Sequence, residues 1–244
     1  MPRFFILPED TNGKSAKIFG EDAYHIARSL RMAVGDELIL TDGLGTDYDC
    51  RLTFIRDDIC ECEVLSALPS LSEPKQKITL YMAYPKGDKM ETVIQKSVEL
   101  GVQRIVPFES SRCIKRPDKS KADKLKERHN RIAKEAAKQS GRGRLVEVSE
   151  IKTFDEVLEE LGGYSLSIFC YEGETEKSLK DLLKEHPAPD TVALVIGSEG
   201  GFSKEEAEKI TSAGAVSVSL GRRILRCETA PSFALSALSF FYEL

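Results

Sequence analysis

The sequence predicts two folded parts: a small barrel of short strands over residues 1–72, then an α/β domain with a largely parallel sheet over residues 73–244. Three observations predict this. Short β-type runs punctuated by Gly, Asp and Asn fill the first part. A polar, proline-bearing stretch, "SLSEPKQK" at 70–77, then breaks the chain as a linker would. Beyond it apolar strands alternate with amphipathic helices, which is the rhythm of a doubly wound parallel sheet.

In the first part "RFFIL", "DELILTDG", "YDCRLTFI" and "CECEVL" read as strands, and only "EDAYHIARSLRM" (21–32) carries a helical period. In the second, "ITLYMAY" is a strand and "KMETVIQKSVELG" places Met90, Val93, Ile94, Ser97 and Val98 on one helical face. "RIVPF" follows as a short buried strand. A long helix comes next, with Ala122, Leu125, Ile132, Ala133, Ala136 and Ala137 inward and Lys and Arg outward. "LVEV" leads into "TFDEVLEELGG", a helix opened by the capping box Thr153/Glu156 and closed by glycine. "LSIFCY", a helix over "KSLKDLLKE", and "TVALVI" continue the alternation. A last strand (216–220) and a C-terminal helix from near Thr229 complete about six strands. That helix is apolar over Ala230, Phe233, Ala234, Ala237, Leu238 and Phe241, a width that suits a core helix and also a subunit interface.

With 244 residues, 41% apolar and 31% charged, the chain is of the soluble globular class and can bury a full core. No apolar run reaches the length of a membrane span, and "MPRFFILPED" lacks the pattern of a signal peptide, so a cytoplasmic protein is expected. Of the six cysteines (50, 60, 62, 113, 170, 227) only Cys60 and Cys62 lie close, with no second pair to complete a zinc site. Reduced thiols and no metal are expected. His25, His129 and His186 are far apart, and His186, before Pro187, reads as a helix cap.

The net charge of −5 argues against a polyanion partner for the chain as a whole. Its distribution argues the other way. Between Arg112 and Arg144 thirteen Lys and Arg stand against four Asp and Glu. Such a block is either an electrostatic footprint for a polyanion or a solvated helix face.

Two glycine loops carry the chemistry. In "VALVIGSEGGFSKEEAEKI" (192–210) a buried strand ends at Gly197, Gly200 and Gly201, and Ser203 with Glu206 caps the next helix. This places backbone N–H groups at the carboxyl end of a sheet, where α/β proteins bind ligands. The spacing matches neither of the two nucleotide-phosphate fingerprints. The second loop, "LGRRILRCETA", interleaves Arg222, Arg223 and Arg226 with Ile224 and Leu225. Apolar groups suit a flat heterocycle and arginines an anionic or carbonyl-rich partner. Alone, each loop is also compatible with a tight structural turn.

Together, "IGSEGGFSKEE" and "LGRRILRCETA" resemble the RsmE family of ribosomal RNA methyltransferases, of the SPOUT superfamily. "HIARSLRMAVGDEL", "IQKSVELGVQRIVP" (94–107) and "EAAKQSGR" (135–142) extend the resemblance over nearly the whole chain. It implies an N-terminal PUA-like barrel, a C-terminal α/β domain with a trefoil knot, S-adenosylmethionine as cofactor and a homodimer. It also implies methylation of N3 of a uridine in 16S ribosomal RNA, in the 30S subunit. On this resemblance Ile196, Gly197, Gly200, Gly201, Leu220, Gly221, Ile224, Leu225, Thr229 and Ala230 are the expected cofactor contacts. Arg226 is expected to stabilise charge on the uracil carbonyls or to pair with Glu199 or Glu228, either of which could be the general base. Arg3, Arg28, Arg31, Lys96, Arg112, Gln139 and Arg142 are the expected RNA contacts, Lys96 having a helix-surface pair with Glu99 as its plain alternative. Ser198 stands where the family commonly has proline, and Cys227 where threonine is common. Serine should keep the turn with less rigidity, and Cys227 reads as a packing residue. The other function classes compatible with the chain are a non-catalytic RNA-binding module and a dinucleotide-using metabolic enzyme, the latter lacking its fingerprint.

Overall fold

A computed structural model describes residues 1–114 and 122–244; the part of the basic block at 115–121 lies outside the described residues. The chain divides into two compact units, the first formed by Met1–Glu73 with Ala137–Leu145 and the second by Pro74–Ala136 with Val146–Leu244.

The first unit holds a five-stranded sheet. Its strands are β1 (Arg3–Phe5), β2 (Ser15–Phe19), β3 (Glu37–Thr41), β4 (Thr46–Ile55) and β5 (Ile59–Pro69), ordered β1-β3-β4-β5-β2. Strand β2, "SAKIF", escapes the sequence reading because it is short and set among polar residues. Its alternation is nevertheless clean, with Ala16 and Ile18 buried between exposed neighbours. The helix α1 (Gly20–Tyr24) runs on as a wider turn, His25–Ser29, and buries Ala23 and Ile26 against Leu38, Leu40 and Leu52.

Residues 137–145 join this unit for a physical reason. The Arg142 guanidinium donates through Nε and Nη2 to Glu73, at 2.9 and 2.7 Å, and Gly143 N and Arg144 N donate to the same carboxylate. The Arg142 side chain is only 3% exposed. Arg142 is therefore corrected from RNA contact to internal clamp, since breaking one side of a buried pair costs about 3–5 kcal/mol. The division between the units falls after Glu73, close to the expected linker, but the first unit also takes this later segment.

The second unit is a parallel sheet. Strands β6 (Lys77–Ala83), β7 (Arg104–Glu109), β8 (Glu147–Val148), β10 (Leu166–Cys170), β11 (Thr191–Ile196) and β12 (Val216–Val218) take the order β12-β10-β11-β6-β7-β8, and β9 (Lys152–Thr153) pairs with β7. Every described pairing in this sheet is parallel. The connections are α2 (Lys89–Glu99), α3 (Ala122–Gln139), α4 (Phe154–Leu161), α5 (Leu179–Glu185) and α6 (Lys204–Ser212), and α7 (Thr229–Tyr242) ends the unit. Met90, Val93, Ile94, Ser97 and Val98 are the buried face of α2, as the spacing predicts. On α3, Ala133 and Ala136 are buried with His129, which the period had not marked. His186 is the C-cap of α5. On α7, Pro231, Ala234, Leu235 and Leu238 are buried, while Phe233, Phe240 and Phe241 stay exposed on the outer face. Among the described residues no helix is long and apolar enough to cross a membrane.

Candidate functional site

The carboxyl ends of parallel strands are where an α/β sheet opens a crevice. Here the loops after β10, β11 and β12, with Lys89 at the start of α2, enclose a cavity of about 790 Å³. That volume is within the range of cofactor sites.

Local chemistry explains the first loop. Gly201, at φ +61°, adopts the left-handed conformation that lets its N–H turn back to the Ser198 carbonyl at 2.9 Å. Phe202 then plunges into the core, stacked on Phe108 and edge-on to Phe169, at centroid distances of 6.3 and 5.1 Å. Burying such a side chain contributes about 1.5–3 kcal/mol and pins the loop. Ser203 and Glu206 form the expected capping box. Glu206 is itself buried, and it also receives Ser111 N at 2.6 Å, tying the loop after β7 to this one. Arg112 Nη1 donates to the Gly200 carbonyl, and a Cβ on Gly200 would meet the Arg112 carbonyl oxygen at 2.8 Å. Ser198 keeps the turn, and its buried hydroxyl has no hydrogen-bond partner among the described residues.

The second loop leaves β12 through Gly221, at φ +112°, whose N–H is held by Ser219 Oγ. It enters α7 with the Arg226 carbonyl accepting from Thr229 N and Ala230 N, both at 2.9 Å. Ile224 lines the cavity and is 85% exposed, a position that a bound heterocycle would cover.

Charge converges between the loops. Lys89 Nζ lies 2.9 Å from Glu199 Oε1 and 3.3 Å from Glu228 Oε2, and Lys86 N also donates to Glu199. Burial pushes the Glu199 carboxyl up, but the Lys89 and backbone hydrogen bonds outweigh it and the net shift is downward. Glu228 follows the same balance, burial opposed by donors from the backbone, Cys227 and Lys89, and is also lowered. The Cys227 thiol is pushed up to about 12, first by burial and then by its hydrogen bond to Glu228. It is a thiol at neutral pH and no nucleophile.

Of the expected cofactor contacts, Ile196, Gly197, Gly201, Leu220, Gly221, Ile224, Leu225 and Ala230 line the cavity, as do Glu199 and Arg226. Gly200 and Thr229 stand behind the wall, one against Arg112 and the other at the first position of α7. Arg226 is exposed and forms no ion pair among the described residues, so the carboxylates expected for it belong to Lys89 instead. Lys96 pairs with Glu99, Arg3 with Asp47 and Arg28 with Asp57, while Arg31 and Gln139 are exposed. Lys89 is the residue that sequence reasoning missed. Its one signal is position: a cation in the first turn of a helix opposes the helix dipole and needs an outside partner.

Comparison with known proteins bears on this geometry. A family model described as an RNA methyltransferase domain matches residues 72–239, and one described as an RNA methyltransferase PUA domain matches residues 20–65. The ribosomal RNA small subunit methyltransferase E of Bacillus subtilis is 34% identical, covering 100% of this chain and 98% of the relative. The chain belongs to the ribosomal RNA small subunit methyltransferase E family. Its fold is accordingly a SPOUT-type parallel α/β domain preceded by a PUA-like one. The Neisseria gonorrhoeae member of that family, solved bound to S-adenosyl methionine, superposes at TM-score 0.86 with 32% identity over 99% of this chain and 98% of that one. A methyltransferase from Legionella pneumophila in complex with the bound cofactor SAM superposes at TM-score 0.82, with 32% identity over 98% of this chain and 96% of that one.

Proposed function

We propose that the chain transfers the methyl group of S-adenosylmethionine to N3 of a uridine in 16S ribosomal RNA, acting in the cytoplasm as a homodimer on the 30S subunit. The observation that carries this reading is the cavity at the carboxyl strand ends, walled by both glycine loops, in a chain of this family.

The residues suit the cofactor. Gly197 and Gly201 present backbone to the cavity, and a Cβ on Gly197 would meet the Phe202 ring at 2.9 Å, so the loop packs this closely only with glycine there. Ile196, Leu220, Ile224 and Leu225 offer apolar surface to an adenine, and the Ser198 hydroxyl, without a partner among the described residues, offers one hydrogen bond. When bound, S-adenosylmethionine supplies a methyl already activated by its sulfonium. The protein then has to align N3 of the uridine with that methyl and favour loss of the N3 proton. Arg226, at the cavity and without an ion pair among the described residues, faces the developing negative charge on the uracil oxygens. Glu199 on the cavity wall and Glu228, joined to it through Lys89, are the carboxylates we assign to the proton, but Lys89 helps hold both ionised and they are weak bases. Lowering the N3 pKa through Arg226 therefore carries more of the work than proton abstraction.

For RNA, the first unit contributes Arg3, Arg28, Arg31 and Gln139, and the second contributes Lys96 and Arg112. Those now paired with carboxylates exchange them for phosphates on binding. The exposed Phe233, Phe240 and Phe241 of α7 are our choice for the dimer face. Isothermal calorimetry tests the reading: S-adenosylmethionine should bind with one site per chain, and no binding would refute it.

A further inference from the structure

We infer that Lys89 is a positioning residue of the cofactor pocket, a clasp that holds the two glycine loops at fixed spacing by gripping Glu199 of one and Glu228 of the other. The inference rests on the reading of the cavity as the S-adenosylmethionine site.

Three segments meet at one nitrogen. Lys89 is the first residue of α2, Glu199 sits in the loop after β11, and Glu228 precedes α7. Their side chains are 33%, 21% and 22% exposed; Lys89 and Glu199 line the cavity, and Glu228 follows Cys227, which also lines it. The helix itself gives no reason for a cation there, because its N-terminus carries the positive end of the dipole. The carboxylates give the reason. Both lie within 3.3 Å of Nζ, so without the ammonium two like charges would face each other across the gap between the loops. Lys86 N adds a second hold on Glu199, and the Cys227 thiol a second hold on Glu228. Each carboxylate is thus fixed to its surroundings, and Lys89 alone joins one to the other among the described residues. Cavity-lining residues sit on both sides of the join: Gly197 and Gly201 on one loop, Leu225 and Arg226 on the other. A change in loop spacing would open the space that the methyl donor must fill.

The experiment titrates S-adenosylmethionine calorimetrically into the full-length wild type, Lys89→Met, Lys89→Arg and the double variant Lys89→Met/Glu199→Gln. Lys89→Met should bind about tenfold more weakly or worse, the size of coupling expected for groups in one charged network. Lys89→Arg should regain most of the affinity. The double variant should bind more tightly than Lys89→Met, because it removes the repulsion along with the clasp. In steady-state methyl transfer the KM for S-adenosylmethionine should rise more than kcat falls. Wild-type binding with a Lys89→Met affinity within twofold of it overturns the clasp alone, as does a double variant no better than the single one. No binding by the wild type overturns the pocket reading and the clasp with it. Should Lys89→Met fail to fold, Glu199→Gln and Glu228→Gln decide: unchanged affinity in both overturns the inference, and weakened binding in both upholds it.

Discussion

Gly200→Ala is the perturbation whose cost the structure defines most closely. Gly200 does not have a positive φ, so an alanine there meets no backbone penalty. The penalty is contact. The new Cβ would lie 2.8 Å from the Arg112 carbonyl oxygen and 2.9 Å from Arg112 Cβ, where carbon contacts settle near 3.5–4.0 Å. Arg112 cannot easily retreat, because its neighbour Ser111 is bound through N to the buried Glu206 at 2.6 Å. The cofactor loop has to move instead. Overpacking of this kind costs about 1–3 kcal/mol. If the displacement is borne by the cofactor site, that is about a 5- to 150-fold loss of S-adenosylmethionine affinity. If it is borne by the fold, it lowers Tm by about 2–4 °C per kcal/mol for a unit of this size. Calorimetry with ligand and a thermal scan without it separate the two. Gly214→Ala is the control, since Gly214, at φ +97°, has open space around it and lies away from the cavity. It should cost stability and spare affinity. A Gly200→Ala protein with native Tm and native affinity would refute the close approach of the two loops.

Other outcomes follow from the same geometry. Arg226→Ala should leave S-adenosylmethionine binding within about threefold and lower methyl transfer about 10²-fold or more, as loss of one charge-stabilising donor does; unchanged turnover would remove Arg226 from the mechanism. Cys227→Ser should retain turnover, and native alkylation at pH 8 followed by mass spectrometry should leave Cys227 unmodified, since its thiol is pushed up to about 12; an adduct there would contradict the burial. His129, buried on α3, has its pKa lowered by burial first of all. Its stabilising contribution is therefore complete above the unfolded value of about 6.5 and is lost as pH falls from there toward the folded pKa. Thermal scans from pH 7.5 to 5 should show Tm declining across that window, and His129→Phe should flatten the decline; an equal decline in both would assign the effect elsewhere.

The two glycine loops were legible because strand, glycine and capping box are local signals, and Gly197, Gly201 and the Ser203/Glu206 cap all stand where the pattern puts them. The alternation of strands and helices was legible for the same reason. What escaped depends on partners far along the chain. Lys89 is separated from Glu199 and Glu228 by more than a hundred residues, and no periodicity links them. Arg142 was counted with the basic block, although its partner Glu73 lies in the linker region and draws it inside. Composition gives the charge of a block but not which of its members are buried. Arg226 shows the converse: its residue type and loop pointed to the cavity, while the ion pairs considered for it are made by a lysine on another element.

The central claim is methyl transfer to N3 of a uridine in 16S ribosomal RNA. It is tested most directly by incubating the protein with labelled S-adenosylmethionine and unmethylated 30S subunits, then digesting the RNA and identifying the methylated nucleoside by mass spectrometry. One 3-methyluridine per 16S molecule is expected, lost with Arg226→Ala. Methylation of a cytosine or a ribose hydroxyl, or no transfer from protein that binds the cofactor, would contradict it.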